Sequence, residues 1–153
     1  MASGYSRWHE RFVDAANAGL VADPQDVSTQ PRLVYKPVAV TGPTSTGTLS
    51  AAQQIAEILT CDLGGAATLT TRTGTQIEAA FDNIRTGEGF YQTIINTSAE
   101  DGRIVTLAGG TGVTISGRAT IDAADAPATN PESSATFFYQ RTAANTFIAY
   151  RTT

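Results

Sequence analysis

The sequence predicts an all-β protein: an antiparallel β-sandwich or jelly-roll-like domain with one or two short helices and an extended N-terminal arm. Three observations carry this. Residues 104–121, IVTLAGGTGVTISGRATI, alternate in polarity with period two. Other short apolar runs are separated by turn residues every 8 to 12 positions or so, as in sandwiches and barrels. Four of the six prolines fall within residues 21–47, which sets that stretch apart from the rest.

Taken in order, residues 6–19 have the pattern of a short amphipathic helix. Ser6 is the candidate N-cap, Trp8, Phe12, Ala15 and Ala16 recur at helical spacing, and Gly19 closes it. The apolar stripe is narrow and a helix this short is marginal alone in water, so it docks on its own body, on a neighbouring subunit or on a larger partner. Pro24, Pro31, Pro37 and Pro43 then fix φ and remove backbone donors, which disfavours a helix or central strand and leaves an extended arm. Within it Leu33, Tyr35, Val38 and Val40 can lie along a surface, and residues 32–35 can add as an edge strand to another molecule or to the chain's own sheet. Residues 41–48, TGPTSTGT, read as a linker, so the expected organisation is an arm at residues 1–47 and a β domain at residues 48–153.

In the body, Ser50 is a candidate N-cap for a helical turn through Ala51, Ala52 and Gln53, followed by strands at residues 59–61 and 67–71. Ile77, Ala80, Phe81 and Ile84 stand at i, i+3, i+4 and i+7, which predicts a short helix over 75–83 that plugs one end of the sheets. Residues 90–96 form a strand with apolar residues in both parities, as expected if it is covered on both faces or lies at a subunit contact. In residues 104–121 the odd positions Val105, Leu107, Val113, Ile115, Ala119 and Ile121 face the core. Gly109, Gly110 and Gly112 between the halves predict a hairpin. Residues 122–134, with two prolines, read as a surface loop, and strands at 135–141 and 146–151 end the chain. Aromatics in these last strands fall on both faces. Phe138, Phe147 and Tyr150 are therefore candidate subunit-interface residues, with an ordinary two-sheet core as the alternative.

Composition removes several function classes. Cys61 is the only cysteine, which rules out an internal disulfide and suits a buried small apolar residue. No apolar run approaches the roughly 20 residues that span a bilayer, and residues 1–4 do not begin a basic-then-apolar export signal, so no membrane partner is expected. The formal charge is −4; the first 47 residues sum to zero, and six arginines face ten acids in the remainder. There is no basic stripe, so nucleic acid is not expected as a partner. The sole histidine, His9, lies in the arm beside Trp8 and Glu10, which does not favour a hydrolase triad. Gly109-Gly110-Thr111-Gly112 lacks the Lys-Ser/Thr and helix of a phosphate cradle. Glu100 with Asp101 and Asp122 with Asp125 lack the spacing of a calcium loop and read as solvated turn acids. No catalytic residue, metal or cofactor is expected, and the chain is not read as an enzyme.

Residues 48–71 (TLSAAQQIAEILTCDLGGAATLTT), TQIEAAF at 75–81, GFYQTIINTS at 89–98, IVTLAGGTGVTISG at 104–117 and the terminal SATFFYQRT and NTFIAYR strands together carry a resemblance. In order and spacing they resemble the β-sandwich decoration, or cement, proteins on the heads of tailed phages, including cyanophages. The resemblance covers roughly residues 48–153. It implies a virion structural protein, made in the host cytoplasm and carried on the outer surface of the capsid. It further implies a homotrimer bound where major capsid proteins meet, bracing the shell against DNA pressure. In that role Trp8 and Phe12 are the candidate apolar anchors on the capsid, with Leu33 and Tyr35 laid along it or along a neighbouring subunit. Tail-fibre and spike domains use similar Gly-Thr-rich strands, so a tail-fibre or receptor-binding module is the alternative.

Overall fold

The computed structural model describes residues 39–81, 83–124 and 133–153. Among them are ten strands in two sheets and two five-residue helices. The strands are β1 (Ala39–Thr41), β2 (Gly47–Thr48), β3 (Ile58–Cys61), β4 (Ala67–Thr70), β5 (Gly89–Asn96), β6 (Val105–Ala108), β7 (Val113–Ser116), β8 (Thr120–Ile121), β9 (Ser134–Ala143) and β10 (Thr146–Arg151). Helix α1 (Ala51–Ile55) lies between β2 and β3, and α2 (Gly74–Glu78) between β4 and β5. One sheet runs β1-β3-β5-β9-β10-β7 and the other β2-β4-β6-β8.

The sheets are mixed, not antiparallel as expected. From β1 to β8 the chain changes sheet at every strand, and as far as β6 each strand re-enters its sheet in the direction of the one before. β1, β3 and β5 therefore pair in parallel, as do β2, β4 and β6. Antiparallel pairing is confined to β5 with β9, β9 with β10, and β6 with β8. The hairpin expected across Gly109–Gly112 is accordingly not formed, because β6 and β7 belong to different sheets and the glycine run carries the chain between them. At that crossing three backbone segments meet: Gly74 N–H donates to Thr111 O (2.8 Å), Gly110 N–H to Thr71 Oγ1 (2.8 Å) and Phe147 N–H to Gly112 O (2.9 Å). A Cβ at Gly110 would stand 2.5 Å from Thr71 O, so only glycine lets the strands approach this closely.

Both helices begin at reciprocal caps. Ser50 Oγ accepts from Gln53 N–H while Gln53 Oε1 accepts from Ser50 N–H, and Thr73 with Gln76 repeats the arrangement. The second helix is shorter than expected and ends at the Ala79 cap, yet Ile77 and Phe81 are buried and Ile84 packs against the core. The segment expected as a linker is part of both sheets. Thr41 ends β1, Gly42 N–H donates to Thr60 O at 2.7 Å, and Thr46 Oγ1 accepts from Thr68 N–H at 3.0 Å. β1 and the first residue of β2 thus lie before the expected boundary at residue 48. The arm helix and residues 32–35 lie outside the described residues, as does 125–132 of the expected loop.

One apolar cluster draws on both sheets: Leu59, Ile94, Phe137 and Phe147 from the larger, Leu69, Val105, Leu107 and Ile121 from the smaller. Inside it Phe81, Phe90 and Tyr139 stack in series, with ring centroids 4.6 and 4.8 Å apart. Their residual geometry contributes about 0.5–1.5 kcal/mol per pair beyond burial. Polar groups are drawn in where the helices join the sheet. Gln92 is fully buried; its Nε2 donates to the carbonyls of Gln53, Gln54 and Ala56, and its Oε1 accepts from the Tyr139 hydroxyl at 3.2 Å.

Candidate functional site: the outer face of the six-stranded sheet

Period-two alternation splits the six-stranded sheet into a buried side and an outer side. On the buried side stand Phe90, Gln92, Ile94 and Asn96 of β5, Phe137 and Tyr139 of β9, and Phe147 and Ala149 of β10. The residues between them, on all six strands, are Ala, Gly, Ser, Thr, Gln, Ile, Tyr and Phe. No Asp, Glu, Lys or Arg is among them. The two strand arginines, Arg141 and Arg151, keep the inner parity, where Arg141 reaches Glu78 and Arg151 donates to the carbonyls of Arg118 and Thr120.

Across this outer side runs an aromatic row set by register. Tyr91 on β5 pairs with Phe138 on β9, and Phe138 with Tyr150 on β10, so the three stand side by side on adjacent interior strands. The Tyr91 and Phe138 rings are 4.8 Å apart. Phe138 is also laid over β5 backbone, since a Cβ on Gly89 would come within 2.8 Å of its Cζ. A large ring over a strand glycine replaces the packing that the glycine lacks and fixes the ring's own position. Tyr91 is 55% and Tyr150 37% exposed, and these are the two exposed large hydrophobic side chains among the described residues. On either side of the row lie uncharged polar groups: Thr93 and Thr136, whose hydroxyls are 3.0 Å apart, and Gln140 beside Ile148. The outward strand residues of the four-stranded sheet include Thr68, Thr70, Thr106 and Thr120 and no aromatic, and Arg118 donates to the Thr120 hydroxyl there.

Of the residues expected at a subunit interface, Phe138 and Tyr150 lie in this row. Phe147 does not: it is 0% exposed and packs in the core, because the intervening residue Ile148 takes the outer parity. Tyr91 was not among those candidates, although residues 90–96 were expected as a strand covered on both faces or at a subunit contact, and it takes the parity opposite to Phe90. Trp8, Phe12, Leu33 and Tyr35, like His9, lie outside the described residues.

Elsewhere the acids, the thiol and the turn amides are engaged structurally or buried, and Gln54 Nε2 is the buried side-chain polar atom without a hydrogen-bond partner among the described residues. Asp122, expected as a solvated turn acid, is 6% exposed and ion-pairs with Arg118 at 2.9 Å, while Glu100 pairs with Arg103. Burial pushes the Cys61 thiol up to about 11. The Tyr139 phenol is raised by the same cause. The backbone donors of Gly74 and Gly110 are taken up by Thr111 and Thr71 and are not presented to a phosphate. Among the described residues the outer face of the six-stranded sheet stands apart as an uncharged, aromatic-centred strand surface. Comparison of the chain with protein-family models, with curated proteins and with solved structures finds no match.

Proposed function

We propose that this protein is a virion structural protein of the decoration, or cement, type, which binds the assembled phage head as a homotrimer and stabilises it. The observation that supports this best is the outer face just described: its aromatic centre and uncharged polar surround have the composition of a protein-protein interface. The resemblance of residues 48–153 to head decoration proteins points the same way, and on it the two sheets are read as a β-sandwich of jelly-roll type. Trp8, Phe12, Leu33 and Tyr35 of the arm are assigned to the capsid contact.

The mechanism is mass action. A protein that binds the assembled shell but not its separated subunits adds stability that grows with occupancy, about 2.7 kcal/mol per site at a free concentration 100 times Kd. Three arms on one trimer raise one another's effective concentration and hold the complex longer than one arm would. No turnover, metal or cofactor enters.

The test is the copy number of the protein in purified virions, measured by quantitative mass spectrometry against the major capsid protein. A ratio near one, or a simple fraction of it, is expected on the outer surface of the capsid. A handful of copies per particle would move the protein to the tail, and absence from particles would overturn the reading. One observation favours a tail-fibre or receptor-binding module as a second reading. The winding of β1 to β6 between two sheets is that of a coil, an architecture that extends readily along an axis.

A further inference from the structure

We infer that the outer face of the six-stranded sheet is where copies of this chain meet one another, with the row Tyr91, Phe138, Tyr150 at the centre of the contact. This deepens the homotrimer part of the proposal above by naming the surface, and it concerns self-association, not the head.

Charge selects the occupant. The chain carries a net −4, which residues after 47 account for entirely, so two copies approaching through their loops repel. The outer face holds none of that charge. A partner recognised through opposite charge would find no handle on it, whereas a second copy brings a face that is equally uncharged. Thr93, Thr136, Gln140 and the tyrosine hydroxyls each both donate and accept hydrogen bonds, so one part of the patch can satisfy another part of the same patch on the next copy around a threefold axis.

Size agrees with this. Five strand spacings of about 4.8 Å by six residues of about 3.3 Å give a face of roughly 24 by 20 Å, measured along the twisted sheet. Its projected area, about 480 Å², is more than half the ~800 Å² that each partner contributes to an interface of standard size. The aromatic row sits on interior strands, so its rings are surrounded on both sides by Thr, Gln and Ile and are removed from water when the faces close. Aromatic anchors inside a near-neutral surround are the usual anatomy of an energetic centre.

The test is sedimentation velocity on the full-length chain, native and with single substitutions. Tyr150→Arg places one charge in the contact at a position already exposed, and Ile148→Lys does so in the adjoining row. Thr106→Arg, on the outer side of the four-stranded sheet, is the control. The native chain is expected to sediment as an oligomer and Thr106→Arg with it, while Tyr150→Arg and Ile148→Lys weaken self-association at least about tenfold with an unchanged circular dichroism spectrum. A monomeric native chain overturns the inference, as does an oligomer that both face variants leave intact. Head binding is assayed separately. Monomeric Tyr150→Arg that still binds heads leaves this face as the subunit contact and removes the linked arms from the cement mechanism.

Discussion

Glu78, in α2, and Arg141, in β9, form a two-pronged ion pair across 63 residues of sequence: Nη2 to Oε1 is 2.8 Å and Nε to Oε2 is 3.0 Å. The same carboxylate accepts from Asn145 N–H at 2.6 Å, so one side chain ties a helix to both the strand and the turn that follows it. The guanidinium of Arg141 holds the Glu78 carboxyl below its usual value of 4.5, with the Asn145 amide adding to the effect. A carboxyl whose folded pKa is lowered contributes stability that is present above the unfolded pKa and is lost as pH falls through the folded one. Glu78→Gln is therefore expected to melt at lower temperature than the native chain at pH 7, and the difference is expected to close as pH drops below 4.5. Paired thermal melts from pH 7 to pH 2.5 check it; a gap that stays constant over that range would show that the pair acts through shape alone.

The close approach at Gly110 makes a second expectation. Gly110→Ala forces a methyl group into the Thr71 and Arg72 carbonyls, 2.5 and 2.9 Å away, and overpacking of this kind costs about 1–3 kcal/mol. Gly65→Ala meets nothing within 4 Å and is expected to be neutral or to stabilise by about 0.4–1 kcal/mol through the unfolded chain. Urea titrations of the two variants, side by side, separate these outcomes.

Gln92 is the pivot of the buried polar groups. Replacing it with Leu leaves three carbonyls and the Tyr139 hydroxyl without the partner that serves them now. Each buried group left unsatisfied costs about 1–3 kcal/mol, so a loss of at least about 4 kcal/mol is expected, with α1 exchanging its amides faster than the strands do. Tyr139→Phe, which removes a single neutral hydrogen bond, is expected to cost only about 1 kcal/mol.

Cys61 is buried on β3 with its thiol pushed up to about 11, so at pH 8 only about one part in a thousand is thiolate. Thiol reagents are expected to leave the native chain untouched for hours and to label it within minutes in denaturant. Rapid labelling of native protein would mean that the β1 edge opens, since Gly42 is packed against the Cys61 sulfur.

Much of the local structure was legible in the residues. Alternation gave the inward positions of Val105, Leu107, Val113 and Ile121, and Ser50 announced the first helix as its cap. The second cap, Thr73 with Gln76, followed the same Ser/Thr-x-x-Gln spacing and could have been read in the same way. Pairing was not legible, because a strand alternates with period two whether its neighbour is parallel or antiparallel. The three glycines at 109, 110 and 112 suit a hairpin and a crossing between sheets equally well; what decides is that α2 and the β9–β10 turn pack against them, and neither is local. Parity could place Phe138 and Tyr150 in one row only with register in hand; aromatics on both faces of the last strands left open which of them faced the core, and Phe147 is one that does.

The winding of the chain also governs when the molecule can form. β7 pairs with β10, and β9 and β10 lie between it and β5, so the larger sheet cannot be completed until residues 134–151 are available. On a ribosome, the segments for β1 to β8 emerge first, each waiting on a partner one full circuit further along. The β9–β10 hairpin is thus the keystone of that sheet, laid last among its strands. A transcript cut short before residue 146 yields a chain with β7 exposed as a bare edge, a substrate for quality-control proteases and for aggregation rather than a smaller working protein.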